Sequence, residues 1–351
     1  MAEMMNVVAI VEDSLVEVKK VKRPIPKTNQ ILMKVHSCAL CTYEQRIFKS
    51  VVKMPLPFVG GHEIFGEVFE VGSDINPISY PIGQKITGRL LVACGECYYC
   101  RRGEENLCLN RNKQDNPQME IQGLGGLGQY IALDARQVYK LDNDMPLEVG
   151  VFTEPLACVV NSIEIGKIEL GDDVVVIGGG IMGQLHVMLA KLRGARVIMS
   201  EPDLARRNHA EKLGCDIVFN PLEVDPVEYV KSLTEGRGAE VVFNTTAVSA
   251  VAKQAVEMTA PLGRVVMYSS QHPDIPFELS ANHVHDTQII VTGSVSPTVR
   301  SFTKAVNLLS KKIIDPASLV FGVYHYSEAQ KAFEEAINPK TMRVIVAFED
   351  K

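Results

Sequence analysis

The chain contains no tryptophan, few aromatic residues (6%), no low-complexity tract and no strong excess of one charge. Its 36 basic and 42 acidic side chains give a formal charge of -6, which gives no reason to expect nucleic acid as a partner. No apolar run reaches the roughly 20 residues of a membrane span. The richest run, residues 174–190, is interrupted by glycines, Gln184 and His186. Because the N-terminus also lacks a basic stretch before an apolar run, we expect a cytoplasmic protein with no membrane partner.

The length of 351 residues predicts about two domains. Residues 1–155 contain short extended runs separated by proline and glycine, a pattern typical of a mostly-β domain with long loops. From residue 156 the pattern changes to strand, glycine turn and helix in repetition, which indicates a parallel sheet built from βαβ units. The predicted fold class is α/β.

A glycine turn lies between the apolar residues 174–177 and a predicted helix. Its sequence, Gly178-Gly179-Gly180-Ile181-Met182-Gly183, fits G-x-G-x-x-G. In this context Gly178 allows a tight turn, Gly180 lets the backbone approach a pyrophosphate, and Gly183 lets the helix pack on the strand. The turn therefore predicts a dinucleotide on the free N–H groups of the helix N-terminus.

Glu201 follows the next predicted strand, eighteen residues after Gly183. A carboxylate at this place accepts hydrogen bonds from the ribose hydroxyls and repels a 2′-phosphate, which favours NAD over NADP. Alternatively, Glu201 and Asp203 cap the helix that begins near residue 204. Arg206 and Arg207 leave NADP open, since a guanidinium accepts a 2′-phosphate.

Four of the eight cysteines, Cys94, Cys97, Cys100 and Cys108, lie within fifteen residues. Four thiolates close a tetrahedral zinc site with no open position, so the predicted role is structural. An iron–sulfur cluster is the alternative, although the spacing matches neither ferredoxin pattern.

A second candidate metal site combines Cys41, His62, Glu63 and Glu154. A thiolate, an imidazole and carboxylates bind zinc in catalytic sites, where one position stays open for water or substrate. Glu63 is alternatively an outer carboxylate that orients the ligands. Cys38 and Cys41 form a C-x-x-C that would suit a redox pair, but no βαβ pattern surrounds it, so we interpret Cys38 as a core residue.

Together these features resemble the zinc-containing medium-chain dehydrogenase/reductase family, and most closely its sorbitol (polyol) and threonine dehydrogenase branch. The resemblance extends over nearly the whole chain. It rests on Cys41, the run Gly61-His62-Glu63 followed by Gly66, Val71 and Gly72, the four-cysteine loop, Gly125-Gly126-x3-Tyr130, Glu154-Pro155-Leu156, the glycine turn and Glu201.

The resemblance implies a GroES-like catalytic domain, residues 1–155 and 292–351, interrupted by a Rossmann domain, residues 156–291. It implies two zinc ions per chain, one catalytic on Cys41, His62 and Glu63 with Glu154 approaching or joining the metal, and one structural. It further implies a homodimer or homotetramer that transfers hydride between NAD and a secondary alcohol or its ketone, such as a polyol or sugar alcohol. Its implied dinucleotide contacts also include Ile181, Arg206, Tyr268, Ser269, Ser270, Ser294 and Val295.

The residues after Cys41 depart from the family pattern. Where relatives commonly have glycine and then serine or threonine, this chain has Thr42 and Tyr43. The proton relay is therefore predicted to use the hydroxyl of Tyr43 or Thr42, or else a water beside Tyr43. Three alternatives stay open: a dinucleotide-binding protein that has lost turnover, a zinc-free reductase, and an L-threonine dehydrogenase-type enzyme.

Overall fold

The computed structural model describes residues 3–111, 119–271 and 273–349. In these ranges the strands are β1 (Met4–Glu12), β2 (Leu15–Lys22), β3 (Gln30–Ala39), β4 (Glu63–Val71), β5 (Lys85–Gly88), β6 (Tyr130–Asp134), β7 (Val138–Lys140), β8 (Asp173–Ile177), β9 (Arg196–Ser200), β10 (Ile217–Phe219), β11 (Ala239–Asn244), β12 (Thr259–Met267), β13 (Ile290–Gly293), β14 (Val320–His325) and β15 (Arg343–Ala347). The α-helices are α1 (Thr42–Phe48), α2 (Tyr98–Arg101), α3 (Leu147–Gly150), α4 (Thr153–Gly166), α5 (Ile181–Leu192), α6 (Leu204–Lys212), α7 (Pro226–Leu233), α8 (Val251–Glu257), α9 (Ala281–Thr287), α10 (Val299–Ser310) and α11 (Ala329–Ala336).

Two compact units make up the chain. The first combines Met1–Ala157 with Thr298–Lys351, and the second is Cys158–Pro297. The sequence predicts the two domain boundaries after residues 155 and 291. The C-terminal segment belongs to the first unit because β15 pairs with β3, and Ile345 lies opposite Ala39 in that antiparallel pair.

The first unit contains a hairpin of β1 and β2 and a seven-stranded sheet in the order β14-β15-β3-β4-β5-β7, with β6 also paired to β3. Strand β3 carries a nearly continuous apolar run, and it is buried along most of its length. Its register places Ala39 opposite Glu63 of β4 and opposite Ile345 of β15. The end of β3 and the starts of β4 and β15 therefore meet at one edge of the sheet.

The second unit contains a six-stranded sheet in the order β10-β9-β8-β11-β12-β13, and every neighbouring pair in it is parallel. Strand β8 is completely buried, as expected for a central parallel strand covered on both faces. The strand order reverses between β8 and β11, and ligands of such sheets bind at the carboxyl ends of the strands at this switch point. The glycine turn follows β8 directly.

One stretch, Leu147–Gly166, is long and apolar enough to cross a membrane, but 78% of it is buried inside the protein. Such burial is expected of a core helix. This stretch was not recognised in the sequence, where residues 174–190 stood out instead; those residues form β8 and most of α5.

Candidate metal and dinucleotide sites

Cys41, His62 and Glu63 converge at the sheet edge of the first unit. Their donor atoms, one per residue, all lie within 4.8 Å of one another. Cys41 is the N-cap residue of α1, directly after β3, and Glu63 is the first residue of β4. The antiparallel pairing of these two strands thus creates the cluster from residues about twenty apart in sequence.

The backbone before His62 requires glycine. Gly61 has φ +89°, and a Cβ atom there would lie 2.6 Å from the Leu127 backbone nitrogen and 2.8 Å from Cys38 Sγ. Any side chain would therefore push the chain away from the sheet and displace His62. Cys38 itself is fully buried in the core, in agreement with its interpretation as a core residue.

Glu44 is a site residue to which the sequence analysis assigned no role. It lies in the first turn of α1 and is fully buried, and its Oε1 lies 3.0 Å from His62 Nδ1 and accepts a hydrogen bond of 2.9 Å from the Gly61 backbone. Burial alone would raise the pKa of Glu44, but His62 and the Gly61 N–H lower it. Because Glu44 occupies Nδ1, it leaves Nε2 of His62 to bind a metal.

Arg343, the first residue of β15, is a second site residue missed in the sequence. Its guanidinium lies 3.2 Å from Glu63 Oε1, with 5% and 1% of the two side chains exposed, and it also donates to the Leu40 carbonyl at 2.9 Å. The other carboxylate oxygen of Glu63, Oε2, is buried and has no hydrogen-bond partner within the described ranges. Glu63 therefore pairs with Arg343 through one oxygen and offers the other to a cation.

The electrostatics of the cluster fit a metal. Burial, and next the Glu63 carboxylate, raises the pKa of the Cys41 thiol. Burial raises the pKa of Glu63 to about 7, although Arg343 and His62 oppose the rise and Glu154 reinforces it. Two acidic donors that resist ionisation are both stabilised as anions by a divalent cation. Glu154, half-buried in the first turn of α4, is near enough to affect the pKa of both Glu63 and Arg343.

Thr42 and Tyr43 occupy different surroundings in α1. Thr42 is exposed, whereas Tyr43 is half-buried and its ring forms a T-shaped pair with His62, at 6.2 Å between centroids. The Tyr43 hydroxyl lies 3.9 Å from Met54 Sδ. Of the two hydroxyls predicted for the relay, that of Tyr43 belongs to the side chain packed beside the candidate ligand His62.

The four sulfur atoms of the cysteine loop also lie close together. Sγ of Cys94 lies 3.6 Å from Sγ of Cys108 and 4.0 Å from Sγ of Cys100. Four thiolates about 2.3 Å from one tetrahedral zinc ion are separated by about 3.8 Å, so this spacing fits a single ion. An iron–sulfur cluster places its thiolates on different irons and needs a wider spacing. Backbone N–H groups of Cys94 and Cys97 donate to sulfur as well.

The glycine turn has the conformation that its sequence predicts. Gly178 has φ +98°, and a Cβ atom on Gly183 would lie 1.9 Å from the Gly178 carbonyl oxygen. A Cβ atom on Gly180 would meet nothing within 4 Å, so there is open space where a pyrophosphate is expected. Ile181 and Met182 form the first turn of α5, and both are half-buried.

Glu201 is buried directly after β9, and both carboxylate oxygens accept backbone hydrogen bonds. Oε2 accepts from Gly179 at 2.5 Å and Oε1 from Asp203 at 2.8 Å. Since each oxygen can accept a further bond, this arrangement is compatible with ribose recognition.

Asp203, not Glu201, caps α6 by accepting from the Arg206 backbone. Arg207 donates to the backbone carbonyls of Glu201 and Pro202, and Arg206 is half-buried.

The remaining predicted contacts follow β12 and β13. Tyr268 packs against His186, at 4.8 Å between ring centroids, and Ser269 donates its hydroxyl to the Thr245 carbonyl. Ser270 and Val295 are exposed. The hydroxyl of Ser294 is buried and has no partner in the part of the chain that the structure describes.

Comparison with known proteins places the chain in a family. Residues 27–143 match the alcohol dehydrogenase GroES-like domain, and residues 182–311 match the zinc-binding dehydrogenase domain. A sorbitol dehydrogenase of Halalkalibacterium halodurans is 28% identical over 333 residues, which cover 94% of both chains. An L-threonine 3-dehydrogenase of Pyrococcus furiosus is 32% identical over 254 residues, which cover 71% of both chains.

Solved structures agree with this placement. A zinc-binding dehydrogenase of Sinorhizobium meliloti bound to NADP has a TM-score of 0.89 and 26% identity, over 98% of this chain and 99% of that one. An alcohol dehydrogenase of Thermus sp. ATN1 has a TM-score of 0.88 and 25% identity over the same shares. The chain belongs to the zinc-containing medium-chain dehydrogenase/reductase family. It is an oxidoreductase of the alcohol dehydrogenase type, with a GroES-like domain and a Rossmann domain, and this confirms the predicted family, fold class and enzyme class.

Proposed function

We propose that the protein catalyses the reversible, NAD-dependent oxidation of a secondary alcohol of the polyol or sugar-alcohol class to the ketone. The observation that supports this most is the convergence of Cys41, His62 and Glu63, with one buried oxygen of Glu63 unpartnered among the described residues. The 28% identity to a sorbitol dehydrogenase and the 27% identity to a D-arabitol-phosphate dehydrogenase of Enterococcus avium support the substrate class.

Cys41, His62 and one or both of Glu63 and Glu154 would hold the catalytic zinc, and the four cysteines of the loop would hold a second, structural zinc. When bound, zinc supplies Lewis acidity toward the substrate oxygen and the nicotinamide supplies the hydride acceptor. Glu44 fixes the orientation of the His62 ring, and Arg343 balances the charge of Glu63. The Tyr43 hydroxyl, able both to donate and to accept, carries the substrate proton toward solvent.

NAD is proposed over NADP because the buried Glu201 carboxylate would repel a 2′-phosphate. The Gly179 and Asp203 N–H groups hold that carboxylate in place. A similar dehydrogenase has been solved bound to NADP, so the preference of this protein for NAD or NADP should be measured. A cytoplasmic homodimer or homotetramer remains our proposal for location and assembly.

A substrate panel tests the proposal. Formation of NADH or NADPH is followed with sorbitol, arabitol, their phosphates, butane-2,3-diol and L-threonine. We expect turnover with at least one polyol and NAD, slower turnover with NADP, and loss of turnover after chelation of zinc. Turnover with threonine alone would favour the second candidate, an L-threonine dehydrogenase, which the 32% identical relative supports. Binding of NADH without turnover of any alcohol would contradict the proposal and favour the inactive alternative.

A further inference from the structure

Gln184 is a fully buried polar side chain just after the last glycine of the turn, in the first turns of α5. Its Nε2 donates to two backbone carbonyls, those of Gly179 and Arg206, each at 3.0 Å. Its Oε1 lies 3.4 Å from His209 Nδ1. Because both partners of Nε2 are carbonyl oxygens, which only accept, the orientation of the amide is fixed. The glycine motif does not include this position.

The contact with Gly179 bears on the dinucleotide. The Gly179 N–H donates to Glu201 Oε2, while the Gly179 carbonyl accepts from Gln184. In a planar trans peptide the carbonyl and the following N–H point in opposite directions. By holding the Gly179 carbonyl, Gln184 therefore fixes the direction of the Gly180 N–H. Gly180 is the N-cap residue of α5, and a Cβ atom there would meet nothing within 4 Å.

The contact with Arg206 bears on the ribose side. Arg206 lies in the first turn of α6, and its backbone N–H is capped by Asp203. The Asp203 N–H donates to Glu201 Oε1 at 2.8 Å. One amide group thus connects the glycine turn to the segment that orients the Glu201 carboxylate. The glycine turn and the Glu201 segment, which together form the proposed binding region for adenosine diphosphate, therefore depend on the same buried side chain, that of Gln184.

We propose that Gln184 is a positioning residue that sets the affinity for the dinucleotide and the preference for NAD over NADP. It does so by holding the Gly179 peptide and the Glu201 segment in one fixed arrangement. The inference rests on the proposed dinucleotide function and adds to it a residue outside the glycine motif. Gln184 touches neither the reacting atoms nor the candidate zinc ligands, so it acts through Gly179 and Glu201.

The variant Gln184→Met tests this proposal, because methionine has a similar length but donates no hydrogen bond. The carbonyls of the buried Gly179 and the half-buried Arg206 then each lose a donor. The loss of hydrogen bonds of this kind corresponds to about a tenfold weaker affinity. We expect the Kd for ADP-ribose and for NADH to rise about tenfold, and the ratio of NADPH to NADH dissociation constants to fall toward one. ADP-ribose, followed by calorimetry, needs neither zinc nor turnover.

Lys191→Met is the matched control, because it removes a polar side chain from the same helix. Lys191 pairs with Asp216 at 2.7 Å and donates to the Ala195 carbonyl, away from the turn. We expect it to bind ADP-ribose as tightly as the unaltered protein. Melting temperatures of both variants without dinucleotide separate positioning from stability. If Gln184→Met melts at a lower temperature but binds with unchanged Kd, the proposal is overturned.

Two further variants keep the outcome decisive. If Gln184→Met does not fold, Gln184→Asn retains the amide but is one methylene shorter and cannot reach both carbonyls, so its Kd should also rise. Glu201→Gln distinguishes a failure of the proposed function from a failure of the role proposed for Gln184. If the unaltered protein binds no ADP-ribose, the proposed function itself fails. If it binds and Glu201→Gln weakens binding while the Gln184 variants do not, only the role of Gln184 fails.

Discussion

The two candidate metal sites are held in opposite ways. Cys41, His62 and Glu63 lie at the edge of a seven-stranded sheet, and buried charges on Glu44 and Arg343 orient two of them. The four-cysteine loop lies between β5 and β6, where α2 has four residues and a 3-10 turn, Glu105–Leu107, has three. Cys94 and Cys97 are only half-buried there. The first site is shaped by the fold, whereas the second has few secondary-structure elements around it, so we expect it to depend on a metal for order.

Because of this difference, we expect substitutions at the two sites to affect different properties of the protein. A site on a rigid sheet can lose its metal and keep its shape, because core packing and hydrogen bonds hold the ligands. A loop with little core of its own gains its ordering free energy from the metal. Changes at the sheet site should therefore affect the reaction, and changes at the loop should affect folding.

The largest expected effect comes from Cys97→Ser in the loop. Structural zinc contributes on the order of 10 kcal/mol to ordering its segment, so we expect loss of one zinc per chain, a lower melting temperature and faster amide exchange in the loop. Alcohol oxidation by the protein that remains folded should change by only a few-fold. Metal analysis, visible absorption and hydrogen exchange measure these outcomes. Iron with visible absorption in the unaltered protein would replace the zinc assignment with an iron–sulfur cluster.

Cys41→Ala should have the next largest effect, and on the reaction and the zinc content rather than on folding. Mutation of residues that hydrogen-bond to metal ligands typically lowers metal affinity or activity by 10- to 100-fold. Loss of a thiolate ligand itself should have a larger effect, so turnover should fall by more than about 100-fold. One zinc per chain should be lost, with an unchanged far-ultraviolet circular dichroism spectrum. Cys38→Ala is the control, because Cys38 is a core residue three positions earlier. An active Cys41→Ala protein with full zinc content would refute the ligand assignment.

The sheet site also marks how far the sequence could predict this structure. The candidate ligands, the glycine turn and the four cysteines each had a chemical pattern and a family resemblance in the sequence. Glu44 had a weak local signal, an acidic residue three positions after a candidate ligand cysteine, but its contact with His62 depends on α1 beginning at Thr42. Arg343 had none, because it lies 280 positions after Glu63, and the two come together only because β15 and β4 both pair with β3.

Gln184 illustrates the same limit in the second unit. In the sequence it is a polar interruption of an apolar run, and that observation argued only against a membrane span. Its function as a donor to Gly179 and Arg206 depends on the packing of α5 between the turn and α6. Patterns of residue type predicted a parallel sheet and the glycine motif, but contacts between distant side chains require the register of strands and helices.

Glu44→Gln should have a smaller effect than loss of a ligand. The amide keeps the shape of the side chain but removes the negative charge that faces His62 Nδ1. Removing such a partner typically lowers metal affinity or activity by 10- to 100-fold. We expect zinc at the sheet site to be removed by a chelator at about tenfold lower concentration, while the loop zinc is unaffected. Equal resistance of the sheet-site zinc to chelation in Glu44→Gln and the unaltered protein would show that the contact does not support metal binding.

Tyr43→Phe is expected to have the smallest effect on metal binding, and it tests which group carries the proton. Phenylalanine keeps the ring packed beside His62 but removes the hydroxyl near Met54. If the hydroxyl is part of the relay, turnover should fall by up to about 100-fold, the lower end of general acid–base effects, with a changed pH profile and unchanged zinc content. Thr42→Val is the matched comparison, since Thr42 carries the other candidate hydroxyl and is exposed on the same helix; its turnover should not change if Tyr43 carries the proton. Full turnover and an unchanged pH profile in both Tyr43→Phe and Thr42→Val would leave a water as the relay and the ring of Tyr43 as a wall of the pocket. The sheet site would then obtain its metal geometry from the fold and its proton path from solvent.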